Sequence, residues 1–128
     1  MSTLRTNALE GVDAKNSITI VAGAGNITTT NVQEGLCKAW AYYTTASSFT
    51  NHDSYNVTSL TDQGAGDCRL VFTNVMASTS RPQSGQSASK HMADGDASAS
   101  YANFVSADNS HNAVDSARSS GLVFGDLA

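Results

Sequence analysis

The stretch from Leu36 to Asn74 limits what this chain can fold into more than any other. Tyr55 to Thr61 sets Tyr55, Val57 and Ser59 against Asn56, Thr58 and Leu60. Cys68 to Thr73 sets Cys68, Leu70 and Phe72 against Arg69, Val71 and Thr73. Alternation with period two marks a strand with one buried face. Between the two runs lies Asp62-Gln63-Gly64-Ala65-Gly66-Asp67, where two glycines accept positive φ and the flanking aspartates hydrogen-bond the turn backbone. A hairpin follows. Leu36 to Thr45, with the only tryptophan, Trp40, and the tyrosine pair Tyr42 and Tyr43, is a third strand.

The rest of the chain continues the theme. Ser17 to Ala22 is a β-branched run and a strand, Gly23 to Asn26 a turn, and Ile27 to Thr30 an extended resumption. The Gly-x-Gly at Gly23 to Gly25 lacks the following helix and the full glycine fingerprint of a phosphate loop. Asn31 to Gly35 suits one helical turn. Val75 to Gln83, which holds the sole proline, Pro82, reads as a loop. Ser84 to Met92 and Ser98 to Ser106 read as strands of small side chains joined by an Asp94-Gly95-Asp96 turn. Another turn at Asn109 to Asn112 precedes Ala113 to Ser119 and Leu122 to Gly125, which close the chain as strands. The expected fold is all-β, an antiparallel β-sandwich of jelly-roll-like form. Residues 1–30 make an N-terminal arm and first strand, and residues 31–128 the sandwich domain.

Ser2 to Lys15 is polar and aperiodic, so it is expected to order only against a neighbour. Charged residues are 14% of the chain, below the roughly 25% of ordinary soluble domains, while 18 serines, 13 threonines and 10 asparagines fill the surface. A polar but weakly charged surface over a lean core predicts strands that finish their burial against further copies of the chain. A net charge of −4, with seven Lys and Arg scattered along the chain, argues against the basic stripe that nucleic-acid binding needs. No window approaches the ~20 apolar residues of a membrane span, and Met1 to Asp13 lacks the apolar run of a secretory leader. Synthesis in a cytoplasm is expected.

Catalytic patterns are not found, and no enzyme activity or cofactor is expected. His52, His91, His111, Cys37 and Cys68 stand at no metal-ligand spacing, and the two thiols read as small hydrophobes rather than a disulfide. Asp62 with Asp67, and Asp94 with Asp96, are turn formers before they are calcium ligands. The G-x-S-x-G nucleophile elbow is missing. Recognition is left to the aromatics: Trp40, Tyr42, Tyr43, Tyr55, Phe49 and Tyr101 offer planes for a sugar ring, though Trp40 above all, and then Tyr42, Tyr43 and Tyr101, read first as core. The polar loops Ala46 to Asp53 and Met92 to Ala97 carry groups that bond hydroxyls. The candidate ligand contacts are therefore Tyr42, Tyr43, Asn51, His52, Asp53, Asp94, Asp96 and Tyr101.

Lys38-Ala39-Trp40, the segment Ser54 to Asp62, Gly64-Ala65-Gly66-Asp67 and Val71-Phe72-Thr73 together resemble a tail-fibre-like structural protein family of marine bacteriophages, cyanophages included. Ser2-Thr3-Leu4-Arg5-Thr6-Asn7 is similar to that family's opening, and Val123 to Asp126 to its last strand. Tyr42-Tyr43 stands where the family has Asn-Phe. The resemblance implies a virion protein, a tail fibre or adhesin forming a homotrimer. It would be attached through Ser2, Thr3, Leu4, Arg5, Thr6 and Asn7 to other virion proteins of the tail, baseplate or capsid, and would touch a host surface polysaccharide or outer-membrane protein. A capsid decoration or head-fibre protein is the alternative in the same setting, and a free carbohydrate-binding module the alternative outside it.

Overall fold

The computed structural model describes residues 19–21, 29–31, 35–88 and 90–128, together with Ala8. The chain divides into two compact units, Met1–Gly35 and Leu36–Ala128. In the first, β1 (Thr19–Val21) pairs antiparallel with β2 (Thr29–Asn31), Ile20 opposite Thr30. The β-branched run and its resumption beyond the glycines are thus two arms of one ribbon. The expected attachment residues Ser2, Thr3, Leu4, Arg5, Thr6 and Asn7 lie outside the described residues.

The second unit holds eight strands: β3 (Ala39–Thr44), β4 (Thr50–Tyr55), β5 (Val57–Gly64), β6 (Asp67–Phe72), β7 (Gln83–Ser87), β8 (His91–Ser98), β9 (Tyr101–Ala107) and β10 (Ser119–Val123). They form two four-stranded antiparallel sheets, β4-β3-β10-β7 and β5-β6-β9-β8. The architecture is the expected all-β antiparallel sandwich. The chain lays β3 and β4 in the first sheet and crosses to the second for the β5-β6 hairpin. It returns for β7, crosses again for β8 and β9, and ends with β10 between β3 and β7.

Alternation explains the core. Ala39, Ala41 and Tyr43 point inward from β3, Cys68, Leu70 and Phe72 from β6, Ala102 and Phe104 from β9, and Val123 from β10, with Met76 added from a loop. The Phe104 ring occupies a slot that no side chain fills. Gly85 and Gly121 are direct partners across β7 and β10, and a Cβ on Gly121 would stand 2.7 Å from Phe104 Cδ2. The two glycines are the space that lets a large ring from one sheet close on the backbone of the other.

Several boundaries differ from the sequence reading, each for a physical reason. The run Tyr55 to Thr61 is not one strand. It contains a corner at Asn56, whose φ of 54° swings the chain from β4 in one sheet to β5 in the other. Asparagine tolerates this left-handed conformation better than most residues. Its side chain staples the corner: Nδ2 donates to the carbonyls of Lys38 (2.9 Å) and Asn74 (3.1 Å), and Oδ1 accepts from the Asn74 amide (2.7 Å). The loop expected over Ala46 to Asp53 is half strand, since β4 begins at Thr50.

Asp94-Gly95-Asp96 is not a turn either. It sits inside β8 where the register to β9 shifts, a bulge, and the true connection is Ser98 to Tyr101. Ser84 to Met92 divides into the end of one sheet and the start of the other. Ala113 to Ser119 contributes only a bridge at Ala113 and the first residue of β10. The Asp62 to Asp67 turn stands as expected, with Gly64 and Gly66 both at positive φ and the Gly64 amide donating to Asp62 Oδ1 at 2.9 Å.

Candidate functional site

Inward-facing residues are spent on the core, so a site must lie on an outer face or at an end. On the first sheet the outward positions are set by register. Ser120 of β10 is opposite both Tyr42 of β3 and Gln86 of β7, and Leu122 is opposite both Trp40 and Ser84. Directly opposed residues of antiparallel strands project to the same face, so Tyr42, Ser120 and Gln86 stand in one row across three strands. Arg118, two residues before Ser120, projects from the same side by period two.

These side chains line an open groove of about 230 Å³, completed by Ser87, Ala88 and Ser119. Tyr42 is 39% exposed and forms its aromatic wall. Among the described residues the Tyr42 hydroxyl, the Gln86 amide, the Ser120 hydroxyl and the Arg118 guanidinium make no hydrogen bond or ion pair, while Ser119 donates to Ser87 Oγ at 3.3 Å. The groove therefore offers an amide, a hydroxyl and a cation that are uncommitted, beside the Tyr42 ring. No carboxylate lines it.

The expected contact residues separate on this frame. Beside Tyr42 lies His52, ring centroids 5.1 Å apart and planes at 36°, with its Nε2 2.8 Å from Thr44 Oγ1. A bulge in β4 opposite Tyr42 and Tyr43 brings this histidine to the tyrosine. Asp53 is exposed, but its Oδ1 accepts the Ser54 amide at 2.8 Å. Asn51 donates to Ser54 Oγ at 3.0 Å. Both are partly spent on their own strand.

Tyr43 is not a contact residue. It is 1% exposed, and the side chain next to Tyr42 in sequence points the opposite way because strand neighbours alternate. Its hydroxyl has no hydrogen-bond partner, and burial together with the neighbouring Cys68 raises its pKa. Trp40, read first as core, is half-buried on the outer face, opposite exposed Tyr55.

Tyr101 and Asp96 meet elsewhere, on the second sheet. The Tyr101 hydroxyl donates to Asp96 Oδ2 at 2.7 Å, a bond that raises its pKa, and the Arg69 guanidinium lies 4.0 Å over its ring. Arg69 Nε donates to Asn103 Oδ1 at 2.9 Å. The ring face that a sugar would stack on is thus covered. Asp94 is placed in β8 by its backbone, and the Asp96 side chain also accepts the Ala97 amide at 2.9 Å. Of the eight expected contacts, Tyr42 and His52 come together, Tyr101 and Asp96 form a closed pair, and Tyr43 is core.

Gln86, Arg118 and Ser120 were not singled out by sequence. They sit on short strands of small residues, and only the register of β7 and β10 assembles them. Among the described residues no three histidine, cysteine or acidic side chains gather at a metal-binding spacing, and Cys37 and Cys68 are both free thiols. His91 and His111 meet edge to face with ring centroids 6.1 Å apart.

Fold and groove together define an antiparallel β-sandwich with a polar, aromatic-walled groove on one sheet. Protein-family models, curated proteins and solved structures contain no match to the chain.

Proposed function

We propose that this chain is a bacteriophage virion structural protein, a tail-fibre or adhesin subunit. Residues 1–30 attach it to the particle, and the outer face of the β4-β3-β10-β7 sheet meets a polysaccharide of the host surface. The observation that carries the recognition half is the row of Tyr42, Ser120 and Gln86 with Arg118 beside it, an aromatic plane next to unsatisfied polar groups. Sugars are bound by that pairing: C–H faces pack on the ring while hydroxyls take up the polar groups. The virion half rests on the resemblance carried by Lys38 to Trp40, Ser54 to Asp62 and Gly64 to Asp67.

Self-association into a homotrimer belongs to the same reading. Leu36 and Tyr55, each 55% exposed, and Val75, 43% exposed, all belong to the segments that Asn56 ties together. Apolar side chains left outside a lean core favour burial against another copy. Sedimentation equilibrium is expected to return three times the chain mass of 13.3 kDa; a concentration-independent monomer overturns the trimer. Antibody raised to the sandwich is expected to decorate tail structures of virions in negative stain. Label on the capsid replaces the fibre reading with a decoration or head-fibre protein. Unlabelled particles, with the free protein still retained on host cells, replace it with a free carbohydrate-binding module.

A further inference from the structure

The Tyr42 groove has one charge, and its sign discriminates among saccharides. Three arginines lie in the sandwich unit, and two are committed. Arg81 donates to the carbonyls of Ser78, Ser98 and Tyr101 at 2.7 to 2.8 Å, and its guanidinium carbon stands 5.2 Å from the Phe72 ring centroid. Arg69 is bonded to Asn103 and stacked on Tyr101. Arg118 alone has an exposed guanidinium with no partner among the described residues, and it lines the groove.

Among the described residues no carboxylate is ion-paired with Arg118. Asp53, opposite Tyr42 on β4, is turned to its own backbone, and Asp115 accepts the Gly66 amide at 2.7 Å, at the hairpin of the other sheet. An arginine fork matches a planar carboxylate, or two oxygens of a sulfate, in a bidentate arrangement that a neutral hydroxyl does not provide.

We propose that this groove selects an anionic saccharide, with the ring of one sugar unit on Tyr42, its hydroxyls on Gln86 and Ser120, and its carboxylate or sulfate on Arg118. The proposal rests on the groove being a saccharide site. The row from Tyr42 to Gln86 crosses two inter-strand spacings, roughly 10 Å, the scale of a short sugar chain rather than of a lone small anion. In a protein of net charge −4, a polyanion is repelled from most of the surface, so one uncommitted cation beside an aromatic wall localises it. Binding is therefore expected to weaken as salt screens the contact.

Affinity electrophoresis of the full chain through gels holding polygalacturonate, dextran sulfate or neutral dextran tests this. Retardation by an anionic polymer is expected to exceed that by dextran by about tenfold in affinity, the scale of one charge-assisted pair. The two anionic gels distinguish carboxylate from sulfate. Arg118→Gln is expected to erase that preference while leaving residual neutral binding, and Arg118→Lys to restore part of it. Tyr42→Ala is expected to weaken binding to all three polymers. Equal retardation by acidic and neutral polymers, unchanged in Arg118→Gln, overturns the anion selection and leaves the saccharide reading standing. Acidic binding that survives Tyr42→Ala overturns the placement in this groove. Absence of retardation by every polymer overturns both.

Discussion

At the scale of single residues, Tyr43 and Cys68 show how a buried polar atom behaves without a partner. The Tyr43 hydroxyl faces the Cys68 thiol, a weak partner, and makes no well-formed hydrogen bond. Removing an unsatisfied buried hydroxyl costs no bond and relieves its desolvation. Tyr43→Phe is therefore expected to leave the melting temperature unchanged or raise it, and a clear fall in a thermal scan contradicts the assignment. Burial, then the charge of Asp67, pushes the Cys68 thiol up to about 12 from an ordinary 9.0. Its neutral form contributes stability that is fully present below pH 9.0 and is lost as pH rises through about 12. Chemical denaturation at a series of alkaline pH values should show the midpoint falling in that window. At neutral pH, iodoacetamide should reach at most one thiol per native chain, half-buried Cys37, and both only after unfolding.

At the scale of elements, a corner between the sheets and a close contact across the core were invisible as periodicity. Asn56 is one residue between two strands of different sheets, with a left-handed φ and four side-chain hydrogen bonds to Lys38 and Asn74. Asn56→Ala loses those bonds and keeps the strain, an expected cost of about 2–4 kcal/mol in urea unfolding. Asn56→Gly relieves the backbone and should cost less. Across the core, Gly121→Ala drives a methyl group into the Phe104 ring. The expected loss is about 1–3 kcal/mol from overpacking, read as a lower midpoint with an unchanged slope. Asn56 and the β8 bulge also explain where the sequence signals misled. Tyr55 to Thr61 alternates smoothly through a corner, because a left-handed asparagine preserves the polar-apolar rhythm while changing the sheet. Asp94-Gly95-Asp96 has the composition of a turn, yet a bulge needs the same permissive residues.

At the scale of the whole molecule, Leu36–Ala128 contains every strand of the sandwich and its whole described core. A protein reduced to residues 36–128 is expected to fold with a melting temperature within about 4 °C of the full chain, the equivalent of less than about 1 kcal/mol for this size. Loss of cooperative unfolding in the truncated protein places part of the stabilisation in the first 35 residues.

What the sequence determined by itself is local. Period-two alternation named the strands around the hairpin, the glycines of Asp62 to Asp67 named its turn, and the count of such strands named an all-β sandwich, because each of these signals depends only on neighbours along the chain. Tyr42 and His52 were legible as candidate contacts, but the sequence did not tell Tyr42 apart from Tyr43. Only the tertiary structure decided which sheet each strand joins, and with that the direction of Tyr43, the outward position of Trp40 and the meeting of Tyr42 with Gln86, Ser120 and Arg118. They come from three stretches of the chain, around Tyr42, Gln86 and Arg118 to Ser120, each more than 30 residues from the next, and meet through the register of β3, β10 and β7. Register is a property of pairs of strands, set by how whole inner faces bury against one another, and no single segment carries it.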